Sequence, residues 1–341
     1  MNDNRPGLQP RRLAKLMHAA IQRCGLDLSG LVVLTEAASG PYVVTPILAA
    51  LAGADHVYAL ARSTRHGTVD EISSQTLELA RLLDVQKRIE IITQKSQAVV
   101  SQADIITNSG HVRPIGAEMI GWMKQTAVVP LMYESWEFRA EDIDLEACRR
   151  NGILVAGTNE QHPALDVFSF LGVMGIKQLL DAGIAVYTSR ILLLCDNQFG
   201  PFIERSLRSV GAHVDVCANL SAADLGNPYD SVLVALQPHL EPVLSSQDAE
   251  LIAKSMPGTV VVQFWGDIDR LSFSAAGVPL WPIETPAPGH MGVLLSDVGP
   301  DPVVRLQVGG LKVGEVLARG KFREDHADRE FVQSLQEERY A

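Results

Sequence analysis

One phrase occurs twice in this chain. Residues 31–60 read LVVLTEAASGPYVVTPILAALAGADHVYAL, and residues 191–217 read ILLLCDNQFGPFIERSLRSVGAHVDVC. Each is an apolar run, a polar loop, Gly-Pro-aromatic, an amphipathic stretch, Gly-Ala and a second apolar run. That order is strand, turn, helix, turn, strand, the opening of a doubly wound α/β domain, written once in each half. Pro41 and Pro201 stand where proline is tolerated, at a first helical position, with Gly40 and Gly200 making the turn into the helix. A strand-to-helix turn of this kind aims backbone N–H groups at whatever lies above the strand ends. Both turns are therefore candidate anion sites.

The same alternation continues between the two copies. Strands are expected at 31–34, 57–61, 89–93, 104–107, 128–132 and 153–156, and again at 191–195, 213–217, 231–236, 259–264 and 279–283. Helical periodicity fills 11–23, 69–83 (with Ile72, Leu79 and Leu83 on one face), 115–123, 163–181 and 302–318. Gly309, Gly310 and Gly314 weaken the last of these. The expected fold class is α/β: two Rossmann-like doubly wound lobes with parallel sheets around an interlobe cleft. Residues 1–160 form the first lobe, 161–185 a hinge helix, and 186–295 the second lobe. Residues 296–341 supply a C-terminal helix and a charged tail that return to the first lobe.

A length of 341 residues suits two domains. A formal charge of −11 without a basic stripe argues against nucleic acid and anionic membrane surfaces. No apolar run approaches a membrane span. The N-terminus is basic but lacks an apolar signal core, so a cytoplasmic location is expected. Cys24, Cys148, Cys195 and Cys217 are scattered without CxxC spacing. They read as reduced residues, and no metal site is expected.

Two longer segments carry a family likeness. ADIITNSGHVRPIGAEMI (103–120) precedes AEDIDLEACRRNGILVAGTNEQHPALDVFSFLGVMG (140–175). Over roughly residues 100–295 the order of parts resembles the D-isomer-specific 2-hydroxyacid dehydrogenases, the formate, glycerate and lactate dehydrogenases of that type. Asp144, Gly152, Ile153 and Val155 fit that family's segment before the hinge helix. The resemblance implies an oxidoreductase that uses NAD or NADP on a small anionic 2-hydroxy or 2-oxo acid, working as a homodimer. It implies a catalytic His290 oriented by Glu284, both within LWPIETPAPGHMG. A carboxylate beside an imidazole raises its pKa and fixes its tautomer, as acid–base work at neutral pH requires. It also implies that the 109–113 loop holds the substrate carboxylate.

The chain departs from that family at two places. The dinucleotide loop G-x-G-x-x-G is replaced by Cys195-Asp196-Asn197-Gln198-Phe199-Gly200, which keeps the last glycine alone. Trp265 stands where the family has its substrate-binding Arg. The expected cofactor contacts are Asn197, Gln198, Phe199, Gly200, Asn219 and Gln237. The expected substrate contacts are Ser109, Gly110, His111, Arg113, Glu134, Trp136, Arg139, His162 and Trp265, with Arg113 or Arg139 clamping the anion. Two rivals follow from the departures. One is a non-catalytic binding or partner protein that kept the fold and lost the dinucleotide loop. The other is a same-fold enzyme with a different nucleotide-type ligand such as S-adenosylmethionine.

Overall fold

A computed structural model of the chain describes residues 5–320 and 326–335. The chain forms two units. One comprises Met1–Val167 with Gly299–Ala341, the other Phe168–Val298. The first begins with helix α1 (Pro10–Cys24). Gln9 caps it by accepting the Arg12 N–H at 3.0 Å, and Gly25 ends it in a left-handed conformation that glycine adopts without a Cβ clash. Its apolar stripe, Leu13, Met17, Ala20 and Cys24, is buried.

Strands and helices then alternate as expected. They are β1 (Val32–Glu36), α2 (Val44–Leu51), β2 (His56–Leu60), α3 (Val69–Leu82), β3 (Ile89–Ile92), α4 (Gln97–Val100) and β4 (Ile105–Ile106). Next come α5 (Ala117–Trp122), β5 (Val128–Pro130), α6 (Leu145–Asn151) and β6 (Leu154–Thr158). The second unit holds α7 (Ser169–Asp181), β7 (Arg190–Leu194), α8 (Gly200–Ser209), β8 (His213–Cys217) and β9 (Ser231–Ala235). It ends with α9 (Ser246–Ser255), β10 (Val260–Trp265), α10 (Arg270–Ala275) and β11 (Leu280–Trp281). The chain returns to the first unit as α11 (Pro300–Ala318), α12 (His326–Arg329) and β12 (Val332–Gln333).

The first sheet runs β12-β6-β5-β4-β1-β2-β3 and is parallel except for β12. The second runs β11-β10-β9-β7-β8 and is parallel throughout. The two-lobed α/β plan read from the sequence is the one the chain adopts. Each order has a switch point. The first sheet grows from β1 outward to β3, then restarts on the other side at β4. The second grows from β7 to β8, then restarts at β9. Open α/β sheets bind ligands in the crevice above such a point, at the carboxyl ends of the strands.

Three local expectations need correcting. The helix expected from Pro163 begins only at Ser169. Residues 163–168 turn instead: Leu165 and Asp166 both give their N–H to the His162 carbonyl, and Asp166 has φ 50. Gly40 and Pro41 open a short 3-10 turn (Gly40–Val43) ahead of α2, whereas Gly200 and Pro201 open α8 directly. The glycines of α11 do not weaken it, because they are where it packs closely. A Cβ on Gly310 would lie 2.3 Å from Met132 Sδ, and one on Gly314 2.8 Å from Ile105 Cγ2. The charged tail falls partly outside the described residues. Its described part supplies α12 and β12, which closes the edge of β6.

Candidate functional site

Extending the β1–β4 register by two residues sets Glu36 beside Asn108 at the first switch point. The Thr35 and Thr107 hydroxyls, 2.8 Å apart, carry that register to the strand ends. Asn108 is fully buried. Its Nδ2 donates to Tyr133 Oη at 2.6 Å, Tyr133 donates to Asp142 Oδ2 at 2.9 Å, and Arg113 reaches the same oxygen at 2.8 Å. Burial and the neighbouring Asp142 push the Tyr133 pKa upward, so the phenol keeps its proton. A phenol that gives its one proton to a carboxylate can only accept from Asn108, which fixes the amide orientation. Asn108 Oδ1 is left buried with no partner among the described residues.

On the other side of Asn108 lies the Glu36 carboxylate, 8% exposed. It accepts the His111 N–H at 3.1 Å. It also fills the space over Gly110, where a Cβ would come within 2.8 Å of Oε2. No ion pair reaches it from any described residue. The N–H groups of Ser109 and Gly110 likewise have no partner among the described residues. The first switch point therefore holds donors and a buried acceptor that no described residue uses.

The second switch point is different. Asp196 aligns with Glu36 in the repeated phrase, but its Oδ1 accepts the Gln237 N–H at 2.9 Å and the Asn197 amide at 3.0 Å. Asn197 Nδ2 donates to the Ala235 carbonyl at 2.7 Å, and its Oδ1 accepts the Phe199 N–H at 3.0 Å. These bonds stitch the β7 turn to the end of β9. They occupy N–H groups that a glycine-rich turn would leave for a pyrophosphate, and they place a carboxylate there as well. The residues present do not fit a dinucleotide in the usual pose.

The remaining expected residues are distributed as follows. Phe199 is core, 1% exposed, with its ring 4.9 Å from Trp265 and 5.5 Å from Phe168. Trp265 is buried and donates to the Gly289 carbonyl at 3.1 Å. Gln198 is exposed, and Gly200 is buried at the start of α8. Asn219 is exposed and caps a short 3-10 turn through the Ala222 N–H. Glu284 and His290 are both exposed and make no contact with each other. Gly289 is pinned from both sides, by Trp265 and by the Asp267 carboxylate at 3.0 Å, so the proline-rich residues before it loop outward. Arg139 is exposed, while Arg113 is held by Asp142.

Glu134 and Trp136 belong to a neighbouring acidic cluster. Glu134 is buried, accepts from Trp136 Nε1 and takes the Glu160 N–H at 3.2 Å. Glu137 caps the Glu134 N–H at 3.3 Å. Burial raises the Glu137 pKa to about 7, and burial with the adjacent Glu137 and Glu134 raises Glu160 well above the usual range. His162 stacks on Phe331 at 3.7 Å and accepts the Ala164 N–H, and its burial lowers its pKa against the pull of Glu330. These are anchoring contacts. Among the described residues no group of three or more His, Cys, Asp or Glu is placed to hold a metal ion, and no helix is long and apolar enough to cross a membrane.

No protein-family model matches this sequence, and no curated protein matches it. Solved structures do match. The dipicolinate synthase chain from Bacillus subtilis superposes at a TM-score of 0.56 and 14% identity, over 88% of this chain and 100% of that one. Its counterpart from Bacillus halodurans, also a dipicolinate synthase, superposes at 0.53 and 12%, over 83% and 96%. The chain shares the fold of these dipicolinate synthases. NAD-dependent formate dehydrogenase from Staphylococcus aureus in complex with NAD also superposes, at 0.42 and 12%, over 89% and 99%. At these identities the dipicolinate synthase likeness is one of fold, so the chemistry rests on the residues above.

Asn108 and Asp142 are not among the residues that the sequence singles out. The available signal is positional: two polar residues, Glu36 and Asn108, end neighbouring strands at the restart of the sheet. That signal becomes readable only once the strand order is known.

Proposed function

We propose that the chain binds a small anionic metabolite at the crevice between β1 and β4, and that it does so without a dinucleotide in the usual pose on the second unit. The contrast between the two switch points carries this reading. At the first, the N–H groups of Ser109 and Gly110 are unspent, and Arg113 lies three residues on. Unspent backbone donors at a strand end are what a carboxylate seeks. At the second, Asp196 and Asn197 satisfy the turn from within. This is the binding protein that kept a dehydrogenase-like fold.

The rival reading is an NAD- or NADP-dependent oxidoreductase acting on a 2-hydroxy or 2-oxo acid, and the shared fold favours it. A thermal shift series separates the two. NAD, NADP, their reduced forms and S-adenosylmethionine are expected to leave the melting temperature unchanged, while small carboxylates raise it. A ligand at 100 times its Kd stabilises by about 2.7 kcal/mol, a readable shift. A submicromolar Kd for NAD or NADP puts the oxidoreductase ahead.

A further inference from the structure

We propose that the ligand of the first unit carries an ammonium group as well as its carboxylate, seated between Glu36 and Asn108, so that it is an amino acid rather than a hydroxy or oxo acid. This rests on the preceding reading and narrows it.

Several polar groups at the first switch point lack partners. Arg113, the obvious partner for an anion, is already engaged by Asp142. Tyr133 has spent its proton on the same carboxylate. The groups beside them without a full set of partners are two acceptors and two donors. The acceptors are Asn108 Oδ1, buried and without a partner, and the Glu36 carboxylate, which takes one backbone N–H, forms no ion pair with a described residue and feels the Arg113 charge only at a distance. The donors are the N–H groups of Ser109 and Gly110.

Asn108 Nδ2 faces the β5 side, where Tyr133 lies. The amide is planar, so Oδ1 turns to the opposite side, where the register sets Glu36. Two acceptors thus stand at neighbouring strand ends, one of them charged. A desolvated carboxylate calls for a charged donor, and a buried amide oxygen for any donor. A ketone offers neither. A hydroxyl has one proton and satisfies one acceptor. An ammonium has three protons and the compensating charge. The adjacent N–H pair takes the carboxylate of the same molecule. The crevice lies at the switch point, where this fold class seats its ligands.

Calorimetric titration of the full chain with matched sets tests this. The sets are alanine, lactate and pyruvate; aspartate, malate and oxaloacetate; and glutamate, 2-hydroxyglutarate and 2-oxoglutarate, chiral members as both enantiomers. Each set differs only in the group on the α-carbon. In at least one set the amino acid is expected to bind at least about tenfold tighter than its partners. Glu36→Gln, which can still accept the His111 N–H, is expected to bring the ratio of amino-acid to hydroxy-acid affinity in that set down to about one. Should Glu36→Gln fail to fold, the wild-type ratios decide alone. Hydroxy or oxo acids that bind as well as the amino acid in every set overturn the ammonium seat and leave the anion site standing. No binding by any member at millimolar concentration overturns both.

Discussion

Glu36 and Asp196 occupy the same place in the repeated phrase and have opposite surroundings. The second is bonded to Gln237 and Asn197; the first has one backbone partner. Residue identity alone does not separate them, since both are acids that follow an apolar strand. The difference comes from the neighbouring strand: the Ala235 carbonyl at the end of β9 and the Gln237 N–H just beyond it bond to Asn197 and Asp196, whereas β4 leads into Asn108. Asn197→Ala removes the bond to Ala235 and the cap on Phe199 together. The expected cost is about 1–2 kcal/mol in chemical denaturation, as for loss of a helix cap. The acidic cluster gives a second residue-scale outcome. Glu137 titrates near 7 in the fold, above its unfolded value near 4.5. Its contribution to stability is therefore present below about pH 4.5 and lost as the pH rises through about 7. Glu137→Gln mimics the protonated form. It is expected to leave stability unchanged in acid and to raise it by about 2 kcal/mol above pH 8, read from urea midpoints at the two pH values.

Among the elements, period and punctuation are enough to find the parallel strands of both sheets within a residue or two. Buried parallel strands read as apolar runs, and Gly-Pro marks the turns between them. Three elements resist. Helix α7 begins six residues later than its apolar run suggests, because the His162 carbonyl diverts two N–H groups into a turn. β12 is two residues long and owes its existence to the open edge of β6. The glycines of α11 look like helix breakers by propensity but are contact points. That last case sets two effects against each other. In an exposed helix, Gly→Ala stabilises by about 1 kcal/mol. At Gly310 the new methyl meets Met132 at 2.3 Å, and overpacking costs about 1–3 kcal/mol. Packing wins where the partner is itself buried, as Met132 is. Gly310→Ala is expected to destabilise the chain, and Met132→Ala in the same molecule to return part of the loss, a coupling that a double-mutant cycle measures.

At the scale of the whole molecule, the chain leaves its first unit after Val167 and comes back at Gly299. The return matters because α11 is a core helix of that unit. Val303, Val304, Val308, Leu311, Val313 and Val316 are fully buried, each contributing about 1.5–3 kcal/mol of apolar burial. Lys312, 3% exposed, adds bonds to the Gly25 carbonyl, Glu315 and Asp328. Removing that much apolar surface costs as much as the total stability of an ordinary domain, about 5–15 kcal/mol. A polypeptide ending at Val298 is therefore expected to lose the cooperative unfolding of the first unit and to expose its sheet. The second unit is continuous in sequence, with its own core around Leu192, Val232, Ile252, Val261 and Phe273. The fragment 168–298 is expected to fold alone, with dispersed amide signals and a single transition. The two fragments thus predict opposite outcomes from cuts at the same two places. If the polypeptide stopping at Val298 kept a folded first unit, α11 would be a cover on that unit rather than part of its core, and the close approach at Gly310 and Gly314 would lose its explanation.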